Sequence, residues 1–67
     1  MIEYTNSQMQ ALIAEHIHSE RDRKILARRL IDGLTFEMLA EEFDLSVRCT
    51  KTIVYKGQEI LFRHIPG

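Results

Sequence analysis

"LAEEFDLSVRCTKTI", residues 39–53, decides the fold. Leu39, Ala40 and Phe43 recur at helical spacing, the pattern breaks at Asp44-Leu45, and Ser46 is a favoured residue for capping a new helix. The spacing predicts one helix ending near Phe43 and a second starting at Val47. Helices joined by so short a turn cannot lie antiparallel and must cross steeply. Ala40 is small enough for the second helix to pass close by. Asp44 belongs to the few residue types besides glycine that accept a left-handed turn. Leu45 then plugs the junction, and Ile53 returns to the core.

Working outward, Thr50, Ile53, Val54, Gly57 and Leu61 continue the second helix with an inward face at three- and four-residue steps, to about residue 63. On the other side, Thr35 caps a short helix over 36–43. Gly33, just past Asp32, is the expected left-handed stop of a helix over 20–32. Ser19 opens that helix, with Asp22 three residues on as a variant capping box; Glu20 and Asp22 suit its positive end. Ile25, Leu26 and Leu30, joined by Ala27 and Ile31, form its buried side. Met9, Leu12, Ile13 and Ile17 give a first helix over about 6–18, with Thr5, Asn6 or Ser7 as its cap. No period-two run marks a strand. The expected fold is all-α: a small four-helix domain containing a helix-turn-helix, a single domain over 1–67 with 57–67 as a C-terminal extension.

Sixty-seven residues hold one core and no more. Cys49 is the only cysteine, which excludes a disulfide framework within the chain and fits a reducing, cytoplasmic setting. No apolar run approaches the roughly 20 residues of a membrane span, and no charged-then-apolar leader opens the sequence. Net charge is −1, but it is unevenly spread. Residues 1–45 carry five basic side chains against nine acidic, whereas residues 46–67 carry Arg48, Lys51, Lys56 and Arg63 against Glu59 alone. Such asymmetry suggests a basic working surface on an acidic body.

The segment "SERDRKILARRLIDGLTFEMLAEEFDLSVRCTKTIVYKGQEIL" resembles the C-terminal promoter-binding region, region four, of bacterial sigma factors. It is similar also to the small sigma-like regulators of Gram-positive genomes and prophages. The resemblance is carried by Arg28 to Gly33, Thr35-Phe36, Ala40-Glu41-Glu42, Ser46 to Lys51, Ile53, Gly57 and Leu61. It covers about two-thirds of the chain, from Ser19 to Leu61. Three positions depart from the family pattern: Asp44 where glycine is usual, Thr50 where a buried Val or Ile is usual, and Cys49 in a DNA-facing slot. The Thr50 hydroxyl can bond back to a carbonyl one turn earlier. The resemblance implies sequence-specific binding of double-stranded DNA and transcription regulation, with RNA polymerase as a further partner.

In that arrangement the fourth helix enters the major groove N-terminal end first. Val47, Arg48, Lys51 and Thr52 then face outward, with Cys49 at the edge. Arg48 is the best base reader, because its planar fork matches the two acceptors of a guanine edge. Lys51 reaches a base or a phosphate, and Lys56 a phosphate. Thr35 and Ser46 cap helices whose free N–H groups can face the DNA backbone, although both would be capped in any fold. The run Arg21, Arg23, Lys24, Arg28 and Arg29, interleaved with acids, reads as a solvated face with internal ion pairs, the alternative being a backbone-phosphate contact or a docking surface for a protein partner.

Catalysis and metal binding find no motif. His16 and His18 are two apart, His64 lies in the tail, and no zinc spacing exists. No nucleophile with a base, Gly-rich phosphate loop or isolated carboxylate pair is present, and no cofactor is expected. The tail "GQEILFRHIPG" carries Ile60, Leu61, Phe62 and Ile65, more apolar surface than a helix end hides alone. Part of it would pack back on Met9, Leu12 and Ile13; the remainder suggests a homodimer interface. The rival reading is a protein-interaction module on a helix-turn-helix scaffold, with little DNA binding.

Overall fold

A computed structural model describes residues 5–64. Four hydroxyl side chains set four helix starts. Thr5, Ser19, Thr35 and Ser46 each accept the backbone N–H three residues on, at 3.2, 3.4, 3.2 and 3.0 Å. The helices that follow are α1 (Asn6–His16), α2 (Glu20–Leu30), α3 (Phe36–Glu42) and α4 (Val47–Arg63). The described chain is all-helical, as its periodicity predicts. Among the three capping residues left open for α1, Thr5 takes the role, and Gln8 completes the box by accepting the Thr5 N–H at 2.9 Å. The box predicted for α2 forms only half. The Asp22 carboxylate instead holds Arg21 at 3.2 Å.

Three helices end one or two residues earlier than the periodicity suggests. Ile17 is extended, and Arg23 from α2 donates to the carbonyls of Ile17 and Ala14, the latter at 2.9 Å. Those bonds satisfy the otherwise orphaned end of α1. Ile31 and Phe43 serve as C-caps of α2 and α3. Gly33 then adopts φ +74°, the predicted left-handed stop. Arg29 donates to the Leu34 carbonyl at 2.7 Å and lies 4.3 Å from the Phe36 ring centre, which fixes the link into α3.

The α3–α4 turn forms as its residues require. Asp44 takes φ +54°, and the Leu45 N–H donates to Ala40 at 2.8 Å. Ile13, Ile17, Ile25, Leu26, Leu39, Val54 and Leu61 make one buried cluster to which all four helices contribute. Each fully buried aliphatic side chain is worth about 1.5–3 kcal/mol. Thr50 is wholly buried, and its hydroxyl donates to the Ser46 carbonyl at 2.9 Å. The bond satisfies the hydroxyl, so the polar atom sits in the core without a desolvation penalty.

Gly57 marks the tightest helix crossing. A Cβ placed there would lie 2.5 and 2.8 Å from the two methyls of Leu26 and 3.0 Å from its Cγ. Glycine is what lets α4 pass this close to α2. The stretch expected as a C-terminal extension continues α4 to Arg63, with Gly57 and Leu61 inside the core. The tail's apolar residues divide accordingly. Leu61 is fully buried and Ile60 packs against the cluster that contains Ile13, as do Met9 and Leu12. Leu61 is therefore unavailable to a dimer interface, and Ile60 largely so; Phe62 stays 59% exposed. Ile65 lies outside the described residues.

Candidate nucleic-acid interface

Burial of Thr50, Val54, Gly57 and Leu61 orients α4, and everything else about the candidate surface follows from it. With that stripe inward, Arg48, Cys49, Lys51, Thr52 and Lys56 are exposed, and Val47 is half-buried at the first helical position. Ser46 spends its hydroxyl on the Cys49 N–H. Thr52 donates to the Arg48 carbonyl at 3.1 Å, so Arg48 and Thr52 form one outward ridge. Lys56 stands one turn beyond Thr52, on the flank facing the α1–α2 connection.

Thr35 belongs to α3, and an aromatic contact ties that helix start to α4. Lys51 Nζ lies 5.7 Å from the centre of the Phe36 ring, and Tyr55 meets the same ring edge-on at 5.7 Å. The predicted residues thus gather around the N-terminal half of α4, with Thr35 on the α3 flank. Tyr55, 56% exposed, is a member that sequence reasoning missed. Its position four residues after Lys51 was the available signal.

The charges sort cleanly. In α2 and at the chain's end, the basic side chains are engaged inside the protein. Arg21 pairs with Asp22, Lys24 with Glu20, and Arg63 with Glu59. Arg23 and Arg29 donate to backbone carbonyls. Arg28 holds Glu42 through two bonds of 2.9 and 2.6 Å and Asp32 through a third of 3.0 Å. That fork pushes the Arg28 guanidinium further from deprotonation and holds the Glu42 carboxyl below the usual range, the hydrogen bond being the main cause in each case. The α2 run is a solvated face laced by ion pairs, and it also staples α2 to the end of α3. Arg48, Lys51 and Lys56 differ. Among the described residues none has a carboxylate within 4.0 Å, and all three stand on α4.

The histidines separate in space from Cys49. His16 and His64 stack with ring centres 3.7 Å apart and planes within 1°, joining the ends of α1 and α4. No group of three metal-ligating side chains occurs among the described residues. None of the described helices is long and apolar enough to cross a membrane. No protein-family model, curated protein or solved structure matches this chain.

Proposed function

We propose that the chain binds double-stranded DNA through the N-terminal half of α4 and thereby regulates transcription. The observation that carries the reading is the segregation of charge. The body's basic groups are engaged within the protein, by carboxylates or backbone carbonyls, whereas among the described residues Arg48, Lys51 and Lys56 on α4 have no carboxylate within 4.0 Å. Unpaired cations on one helix face supply the phosphate attraction that dominates DNA affinity. The short turn through Asp44 supports the same reading, since a helix-turn-helix requires a turn of this kind before its second helix. Arg48, with Thr52 beside it, reads base edges. Lys51 and Lys56 hold phosphates on either side, while Thr35, Ser46, Val47 and Cys49 border the contact.

The resemblance to region four of bacterial sigma factors extends the proposal to a bacterial or prophage regulator in the cytoplasm that works with RNA polymerase. The second reading, a protein-interaction module, draws on Met38 and Phe62, which leave 53% and 59% of their surface exposed. A salt titration of binding to mixed genomic duplexes, with the bound fraction sequenced, separates the two. Steeply salt-dependent binding that enriches one short motif supports DNA recognition. No binding at about 50 mM salt, where even non-specific attachment registers, refutes it.

A further inference from the structure

Between the α1–α2 connection and α4 lies an open cleft of about 390 Å³. Its floor is apolar, with Leu26 and Gly57 at the closest approach of α2 and α4. Its rim is polar: His18, Ser19 and Arg21 on one side, Thr52 and Lys56 on the other. The rim holds two cations, Arg21 and Lys56, against one carboxylate, Asp22, which pairs with Arg21 at 3.2 Å and leaves Lys56 in excess; the Arg21 side chain is more than half exposed and can turn to an incoming phosphate. Thr52 belongs also to the proposed base-reading ridge, so the cleft is continuous with that surface.

The geometry points to this cleft as the seat of a DNA backbone phosphate, held by Lys56 and Arg21 across it, with His18 as a third donor. The inference rests on the DNA-binding reading of α4. A major groove about 12 Å wide closes around a helix about 10–12 Å across, so a phosphate strand must run along each flank. On the α3 flank Lys51 meets that strand. On the opposite flank the strand passes the α1–α2 connection, and the cleft is where cationic donors from α2 and α4 converge.

Fluorescence anisotropy of a bound duplex across a salt series tests the assignment on the full chain. The double variant Arg21→Gln, Lys56→Gln is expected to reduce the salt slope by about 1.8, two contacts at about 0.9 each, with the thermal midpoint unchanged. His18→Gln is expected to weaken binding at fixed salt, with the thermal midpoint unchanged. A double variant that keeps the parental slope, while Arg48→Ala still weakens binding, overturns the cleft assignment and leaves DNA recognition standing. A parent that shows no salt-dependent binding overturns both. Parental affinity in His18→Gln removes His18 from the seat.

Discussion

Replacing Gly57 by alanine sets two effects of known sign against each other. Alanine is favoured over glycine inside a helix by about 0.8–1.0 kcal/mol, and position 57 lies in the interior of the 17-residue α4. On propensity alone the variant gains stability. Packing opposes it. The new methyl would sit 2.5 Å from one Leu26 methyl and 3.0 Å from Cγ, the branch point. Leu26 is fully buried, so it cannot swing into solvent, and relief requires α2 and α4 to separate. Overpacking of this kind costs typically 1–3 kcal/mol. With three atoms of one rigid side chain inside contact distance, the upper half of that range applies. The net expectation is a loss of about 1–2 kcal/mol. For a domain of this size each kcal/mol moves the midpoint by about 4–8 °C. Thermal unfolding followed by circular dichroism should therefore place Gly57→Ala roughly 4–16 °C below the parent. A midpoint equal to or above the parent's would mean that helix propensity wins and that the close crossing is not what glycine is there for. A companion Leu26→Val, which removes a methylene from the clash, should recover part of the loss in the double variant; strict additivity would refute the direct contact.

Three further outcomes follow from the same contacts. Arg48→Ala with Lys51→Ala should abolish DNA binding in a gel-shift assay while leaving the thermal midpoint within a degree or two; parental affinity in that variant would refute the recognition-helix assignment. Thr50→Val should leave stability unchanged or raise it by up to about 1 kcal/mol in urea unfolding, because the Ser46 carbonyl keeps its bond from the residue 50 N–H at 3.0 Å and the core gains a methyl. A loss beyond that size would show that the hydroxyl bond supports the α4 start. The Arg28–Glu42 fork predicts an acid limb. Glu42 is held below its ordinary value, so its contribution is complete above about pH 4.3 and is lost as pH falls through the lowered value. Glu42→Gln should flatten stability between pH 5 and 3, and an unchanged acid limb would remove Arg28 as the cause.

The helices were legible because their boundaries are written in side chains that act locally. Thr35, Ser46, Gly33 and Asp44 each do in the structure what their chemistry does in isolation, and the three- and four-residue steps name the buried faces. Ends were less legible. Arg23 reaches back across nine residues to the Ala14 carbonyl, and that bond between elements has no periodic signature. The tail misled for a related reason. Ile60, Leu61 and Phe62 are consecutive, so composition marks them alike, yet the helix turns Leu61 into the core and Phe62 out of it. For the candidate site, exposure of Arg48, Lys51, Thr52 and Lys56 could be read from the inward stripe alone. The pairing of Arg28 with Glu42, fourteen residues away, could not. That pair, together with the local pairs and carbonyl bonds of α2, distinguishes α2 from the cations of α4, which have no carboxylate within 4.0 Å among the described residues. Neither the Phe36–Tyr55 contact nor the cleft beside Lys56 is visible before the helices are docked.

One helix, α4, supplies four fully buried positions and the whole exposed basic ridge, and the two sets do not overlap. Among the described residues, the side chains of Arg48, Lys51, Thr52 and Lys56 make no hydrogen bond or ion pair with another helix. These four positions are therefore interchangeable parts. A different set of side chains there would alter the exposed chemistry of the surface while leaving Thr50, Val54, Gly57 and Leu61 to hold the same scaffold. Divergence at Arg48, Thr52 and Lys56 would leave the core untouched, with only the Lys51–Phe36 contact linking this surface to α3, so the surface could change without passing through an unstable intermediate.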